Sequence, residues 1–301
     1  MRNIIANLFS LVLTVAGVVL LLTTPSHSQA KPFVPTRFTV VTEGPADAPA
    51  VLLLPGLTSG REVFDSEAKI LALKYRLYRV QINGFAGQPA GPNASGPFLA
   101  PVVVELHQFL AANHLHPAVI GHSLGGLLGM MLAQSHPEDL QKLMIVDSLP
   151  FYALVFDAHA TVAAVTPQAE AMRSQMMSIS DEAYAAQAAQ TASYLVNNPD
   201  AQKIVAANSR TSDRAVMTTA MYEDLTTDLR PALASIKTPA TLLYPFDATA
   251  VGPDSSKIDA VYTGAYSTMP NLTIHRIDNS RHFIMFDQPA VFDKEVQAFL
   301  K

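Results

Sequence analysis

Gly121-His122-Ser123-Leu124-Gly125, followed by Gly126, stands between an apolar strand-like segment, Ala118–Ile120, and an apolar helix-like segment, Leu124–Ser135. A serine on so tight a strand-to-helix turn sits in a strained backbone conformation. The flanking glycines remove side chains that would clash there, and the helix N-terminus turns unpaired N–H groups toward a developing oxyanion. A serine hydroxyl is a poor nucleophile at neutral pH, so this arrangement calls for a histidine base and a carboxylate to orient it, both downstream and the acid first.

Of the nine histidines, His275 and His282 lie beyond the last strand-like segments. His275 falls inside the alternating stretch Leu272–Ile277 and reads as a solvent-facing strand residue. His282 follows the turn Asp278-Asn279-Ser280-Arg281, in a loop just past a strand end, where catalytic side chains of open α/β sheets collect. Three acids compete to partner it. Asp247 follows the strand-like Ala240–Tyr244 and is preferred, because the loop after that strand is the usual acid position in this topology. Asp147 closes the strand-like Leu143–Val146 and reads more readily as a cap of the next turn, and Asp254 reads equally as a cap for a helix around Ser255–Val261.

The remaining reactive types point to less chemistry. His122 should face away behind the turn and be structural. His114 and His116 share a strand-like face but have no carboxylate or Cys nearby, which favours a surface pair over a metal site. No Gly-rich phosphate loop is present, so no nucleotide and no cofactor are expected. Met172, Met176, Met177, Met217 and Met221 recur at helical spacings. Flexible thioethers of this kind fill cores, and over a reactive serine they would suit a hydrophobic acyl or alcohol group, with Met176 and Met177 as the residues to watch.

The elements that must position these residues alternate. Strand-like Phe38–Val41, Ala50–Leu54, Tyr75–Ile82, Ala118–Ile120 and Leu143–Val146 are interleaved with helix-like Leu99–Asn113 and Leu124–Ser135. Continuous apolar strands between helices indicate a parallel sheet covered on both faces. From Phe151 to Lys237 β-type runs vanish, and Ala, Gln, Met and Ser dominate in segments opening at the helix-cap signals Ser180-Asp181-Glu182 and Ser212-Asp213-Arg214. Strand character returns at Ala240–Tyr244 and Leu272–Ile277, and a helix spans Pro289–Leu300. One α/β core, residues 31–150 and 238–301, is thus interrupted by a helical insertion over 151–237.

Composition narrows the class. With 49% hydrophobic and 15% charged residues and no Cys, the chain is neither disordered nor disulfide-stapled, and it has no thiolate metal site. A formal charge of −5 without a Lys/Arg run argues against nucleic-acid binding. The apolar run Ile4–Leu22 after Arg2, followed by Ser28-Gln29-Ala30, reads as an export signal over residues 1–30 with a mature start near Lys31. Its length also suits an uncleaved membrane anchor. Asn93-Ala94-Ser95 and Asn271-Leu272-Thr273 match a glycosylation sequon short enough to arise by chance.

Four landmarks together resemble the α/β-hydrolase superfamily in its capped, single-domain form: Leu52-Leu53-Leu54-Pro55-Gly56-Leu57, Gly121–Gly126, Tyr244-Pro245-Phe246-Asp247, and Ser280-Arg281-His282-Phe283 with Asp287-Gln288-Pro289. The resemblance implies an α/β-hydrolase fold, a mostly parallel central sheet flanked by helices, with a helical cap. It implies Ser123 as nucleophile, His282 as general base, Asp247 as orienting acid, and the backbone N–H groups of Leu57 and Leu124 as oxyanion hole. Two positions depart from the family pattern: Pro55-Gly56 stands where His-Gly is frequent, and Gln81-Ile82-Asn83-Gly84 lacks the usual Asp. The expected activity is hydrolysis of carboxylic esters through an acyl-enzyme, on a small-molecule substrate with a hydrophobic part. Lactone opening, carbon–carbon bond hydrolysis, or ligand reception without turnover are the alternatives.

Overall fold

The runs Val51–Leu54, Ala118–Ile120 and Leu143–Val146 are apolar at every position because each is covered from both sides. In the computed structural model, which describes residues 33–301, alternate residues of one strand enter two different cores. Leu52, Leu54, Val119, Leu143 and Ile145 face one, while Val51, Leu53, Ile120, Met144 and Val146 face the other. The two-residue period of a strand divides its side chains in this way, and burial of both sets stabilises the sheet by roughly 25 cal/mol per Å² of apolar surface removed from water. The expected export segment over residues 1–30 lies outside the described residues. Among those described, no helix is long and apolar enough to cross a membrane.

In chain order the elements are β1 (Phe38–Glu43), β2 (Ala50–Leu54), α1 (Asp65–Leu71), β3 (Arg76–Ile82), α2 (Leu99–Ala112), β4 (Ala118–His122), α3 (Leu124–Ser135) and β5 (Lys142–Val146). Then follow α4 (Val162–Ser178), α5 (Asp181–Leu195), α6 (Pro199–Thr211) and α7 (Arg214–Thr226). The chain ends with β6 (Ala240–Phe246), α8 (Ala248–Val251), α9 (Ser256–Ala265), β7 (Leu272–Asp278), α10 (Ile284–Asp287) and α11 (Pro289–Leu300). The seven strands lie in the order β1-β3-β2-β4-β5-β6-β7. β1 runs antiparallel to β3, Phe38 opposite Ile82, and the other neighbours are parallel.

This order reverses direction at β2. The chain leaves β2 toward β3 on one side and returns through β4 on the other, so the connections diverge and a crevice opens beyond the carboxyl ends of β2 and β4. Ligand sites of open α/β sheets form at such a point. Gly56 follows β2 and Ser123 follows β4, so both lie at its mouth.

The stretch expected to be helical between β5 and β6 forms α4 to α7, each opened by a side chain accepting a backbone N–H: Thr161, Ser180, Asn198 and Asp213. Such a cap contributes about 1 kcal/mol. At the second signal read from the sequence the cap is Asp213, which accepts from Val216 N–H at 3.0 Å, and not Ser212. Asn93 of the first sequon is buried, its amide donating to the carbonyls of Arg37 and Asn83, so it offers no glycan acceptor.

Candidate active site

Ser123 connects β4 to α3 with φ 55° and ψ −123°, a conformation that L residues with a side chain adopt only when the surroundings force it. Its N–H is held by Val146 O of β5 at 2.9 Å, and its carbonyl accepts from Gly126 N–H at 2.7 Å. The glycines make that turn possible by leaving room. A Cβ on Gly121 would overlap the Gly125 carbonyl, and one on Gly125 would overlap the carbonyl of Leu54. Gly56 passes so close that a Cβ there would stand 2.9 Å from Ser123 Cβ. Leu57 and Leu124, the two expected oxyanion donors, therefore flank Ser123, one after β2 and one at the first residue of α3. Among the described residues neither N–H has a protein acceptor.

His282 lies in the loop after β7 and is fixed from two directions. Its Nδ1–H donates to Asp147 Oδ2 at 2.5 Å, which leaves Nε2 with its lone pair. Its backbone carbonyl accepts from His122 Nε2–H at 3.0 Å. His122 is fully buried, with its ring 4.6 Å from that of His282. Burial, aided by the nearby charge of His282, pushes the His122 pKa well below its usual value, so it remains a neutral donor. It is structural, as expected, but it faces His282 instead of turning away. No hydrogen bond joins Ser123 Oγ to His282 among the described residues. The two line one cavity, and such contacts commonly tighten only when substrate is bound.

The acid on His282 is Asp147, not the expected Asp247. Asp147 closes β5 in a left-handed turn, φ 46°, and its N–H is held by Leu243 O at 2.8 Å. Oδ1 accepts from the Tyr262 hydroxyl of α9. Burial first, then the Asp147 charge, raises the Tyr262 pKa well above 10, so that hydroxyl stays a donor. Asp247 lies one strand further away and is already satisfied: it accepts from Arg281 Nε at 2.9 Å, Asn197 Nδ2 at 3.2 Å, and the N–H and hydroxyl of Thr249 at 3.0 and 2.7 Å. Burial alone would raise its carboxyl, but these bonds outweigh burial and hold the pKa at about 2. Asp254 is spent on capping, accepting from Ser256 N–H at 2.9 Å, as the alternative reading of it supposed.

A cavity of about 250 Å³ stands over Ser123 and His282. Met172 and Met176 of α4 and Met217 and Met221 of α7 line it, but Met177 does not: it is 47% exposed. Residues four apart share a helix face and adjacent ones do not, so Met176 and Met172, the latter 40% exposed at the rim, border the cavity together while Met177 lies off it. Asp224 of α7, which the sequence did not single out, lines the same cavity. Burial, only partly offset by His282, raises its carboxyl pKa to about 7. One acid in a helix segment carries no sequence signal that distinguishes it from a surface residue.

As for metal ligands, His114 and His116 join no cluster of donors among the described residues. His107, His136 and Glu138 do approach one another, yet the two imidazoles stack in parallel at 3.7 Å and His107 is taken by Asp139 at 2.9 Å. Parallel rings send their lone pairs side by side instead of toward one ion.

Comparison with known proteins agrees with this fold. A model of the alpha/beta hydrolase family matches residues 51–295. A protein named carbamate hydrolase RutD from Yersinia enterocolitica is 31% identical over 114 residues, 38% of this chain and 41% of that protein. The match therefore spans about two fifths of that relative's length. An enol-lactonase from Burkholderia xenovorans LB400 superposes with a TM-score of 0.69 at 15% identity, covering 87% of this chain and 96% of its own. An esterase from Exiguobacterium antarcticum does so with a TM-score of 0.71 at 14% identity, covering 87% and 94%.

Proposed function

We propose, from the premise that the chain belongs to the alpha/beta hydrolase family, that it hydrolyses carboxylic esters through an acyl-enzyme on Ser123, with His282 as general base and Asp147 as the acid that orients it. The observation that carries this reading is the 2.5 Å contact between His282 Nδ1 and Asp147 Oδ2, with Ser123 strained at the head of α3 beneath the same cavity.

The steps follow from the geometry. His282 Nε2 takes the Ser123 hydroxyl proton as Oγ bonds to the substrate carbonyl carbon. Negative charge moves to the carbonyl oxygen, where the N–H groups of Leu57 and Leu124 stabilise it. One such donor is worth about 3 kcal/mol in well-studied cases. His282 then returns the proton to the leaving alcohol as the carbon–oxygen bond breaks. Water, deprotonated by the same Nε2, attacks the acyl carbon, and Ser123 recovers the proton when the acid leaves. Asp147 holds the tautomer throughout, and the Tyr262 hydroxyl keeps the carboxylate aimed.

Helices α4 to α7 act in this reading as a cap over the serine, and the N-terminal sequence supports an exported enzyme. The carbamate-hydrolase relative favours carbamates as a second substrate class, because the same attack on a carbonyl carbon would expel an amine or alcohol from them. A fluorophosphonate should label Ser123 covalently, and a chain-length series of nitrophenyl esters, run beside lactones and carbamates, should rank esters first. Ser123→Ala should abolish both labelling and turnover. Labelling that persists in that variant would place the nucleophile elsewhere.

A further inference from the structure

The cavity over Ser123 is lined by four methionines, aliphatic and aromatic side chains and neutral hydroxyls, and one carboxylate among them is costly. Asp224 is 9% exposed, and among the described residues none donates a hydrogen bond to its carboxylate. It lines the cavity beside Ser123 and His282, within reach of a bound ligand. A carboxylate left unpaired in such surroundings loses several kcal/mol of hydration.

The charges around it are engaged elsewhere. Glu223, the preceding residue, caps α2 by accepting from the N–H groups of Phe98 and Leu99 at 2.7 Å. Arg230 is paired with Asp228, Arg173 lies over the Tyr222 ring, and Arg214 binds Asp181. No Lys or Arg is among the described residues lining the cavity. The titratable groups that line the cavity with Asp224 are His282, from the loop after β7, Tyr152, from the turn after β5, Tyr184 of α5 and His122 of β4.

We propose that Asp224 selects the substrate: the site takes esters bearing a positively charged amine or quaternary ammonium, which the Asp224 carboxylate holds beside Tyr152 while Ser123 attacks the carbonyl. The proposal rests on the esterase reading and deepens it. A bound cation supplies the missing partner in a desolvated site, where close charge pairs are strong, and the ring of Tyr152 adds attraction for it. A carboxylate-bearing substrate, by contrast, meets repulsion with no basic residue to offset it. Because burial lifts the Asp224 carboxyl to about 7, the selecting charge is present at pH 8 and mostly neutralised at pH 6.

The test uses two pairs of esters alike in shape but not in charge. One is 4-nitrophenyl 4-(trimethylammonio)butyrate against 4-nitrophenyl 5,5-dimethylhexanoate, with the charge on the acyl side. The other is acetylcholine against 3,3-dimethylbutyl acetate, with the charge on the alcohol. At pH 8 the charged ester of at least one pair should lead in kcat/KM by about tenfold or more. That ratio should fall toward one in Asp224→Asn, and in the unaltered protein as pH is lowered to 6. Effects on the chemistry common to both esters cancel in the ratio, and the pH trend decides the matter should the variant not fold. Neutral esters turned over with ratios near one, or a ratio indifferent to the variant and to pH, would overturn the proposal alone. No turnover of any of the four, together with no fluorophosphonate labelling, would overturn the esterase reading and the proposal with it.

Discussion

Asp147 and Asp247 are the same residue type, each following a parallel strand, yet their surroundings divide their work. Asp147 accepts from His282 and Tyr262 and keeps its carboxylate on the imidazole. Asp247 receives Arg281, Asn197 and Thr249 and ties the insertion to the core, since Arg281 also donates to Ser193 O of α5 at 2.7 Å. Asp147→Asn should therefore cut kcat on nitrophenyl esters by about 10⁴ through loss of the correct tautomer, with near-ultraviolet dichroism unchanged. Asp247→Asn should cost less than about tenfold in rate but lower the melting temperature, because it leaves Arg281 without its buried carboxylate. A reversed ranking of the two rate losses would return the acid role to Asp247. The depressed pKa of Asp247 also has a sign: the stability it contributes is complete above about pH 4 and is lost as pH falls toward 2.

At the scale of elements, α4 and α7 supply the cavity's thioethers and the β4–α3 turn supplies the serine, so substrate preference and chemistry sit on separate pieces of chain. Removing apolar volume from a pocket changes discrimination between substrates by about 1–3 kcal/mol per group lost. Met176→Ala should thus alter the ratio of activities on long and short acyl esters by about tenfold, whereas Met177→Ala, on the solvent face of the same helix, should leave it within about twofold. Fluorophosphonate labelling rates should be retained in both. Equal shifts in the two variants would show that α4 is rotated relative to this description.

For the whole molecule, the sheet's two cores carry one marked imperfection. Glu67 of α1 is 2% exposed, and both its carboxylate oxygens are buried without partners. Burial, reinforced by the charges of Asp293 and Asp65 and only partly offset by that of Arg79, raises its pKa from 4.5 to about 7. The folded chain therefore retains a proton that the unfolded chain has lost, and stability declines as pH rises between these values, by about 3 kcal/mol over the interval. Glu67→Gln cannot ionise. Its stability in urea relative to the parent should climb by about that amount from pH 5 to pH 8. A difference independent of pH would mean that the Glu67 carboxyl titrates in the folded chain as it does in the unfolded one.

What the sequence determined by itself was whatever depends on near neighbours along the chain. Runs such as Leu52–Leu54 and Leu143–Val146 have no polar face, so they must be covered twice, which dictates a parallel sheet with helices on both sides. Gly121, Ser123 and Gly125 spell out a strand-to-helix turn within five residues, so the turn at Ser123 was legible locally, although Leu54 and Val146 also hold it. His282 was legible from the strand end before it, and the insertion from the loss of β-type residues. Asp147 as the acid was not, because its role depends on strand order. β5 lies beside β4 and so beside Ser123, while β6 lies one place further, and both strands end in an aspartate. Nor did the sequence phase α4, where Met176 and Met177 differ only by the 100° between consecutive residues, or reveal Asp224, whose burial arises from packing α7 against segments distant in the chain. Only the tertiary structure decided these, because hydrogen-bond partners and desolvation are set by residues distant in the chain, as His282 lies 135 positions from Asp147, a separation at which local pattern carries no information.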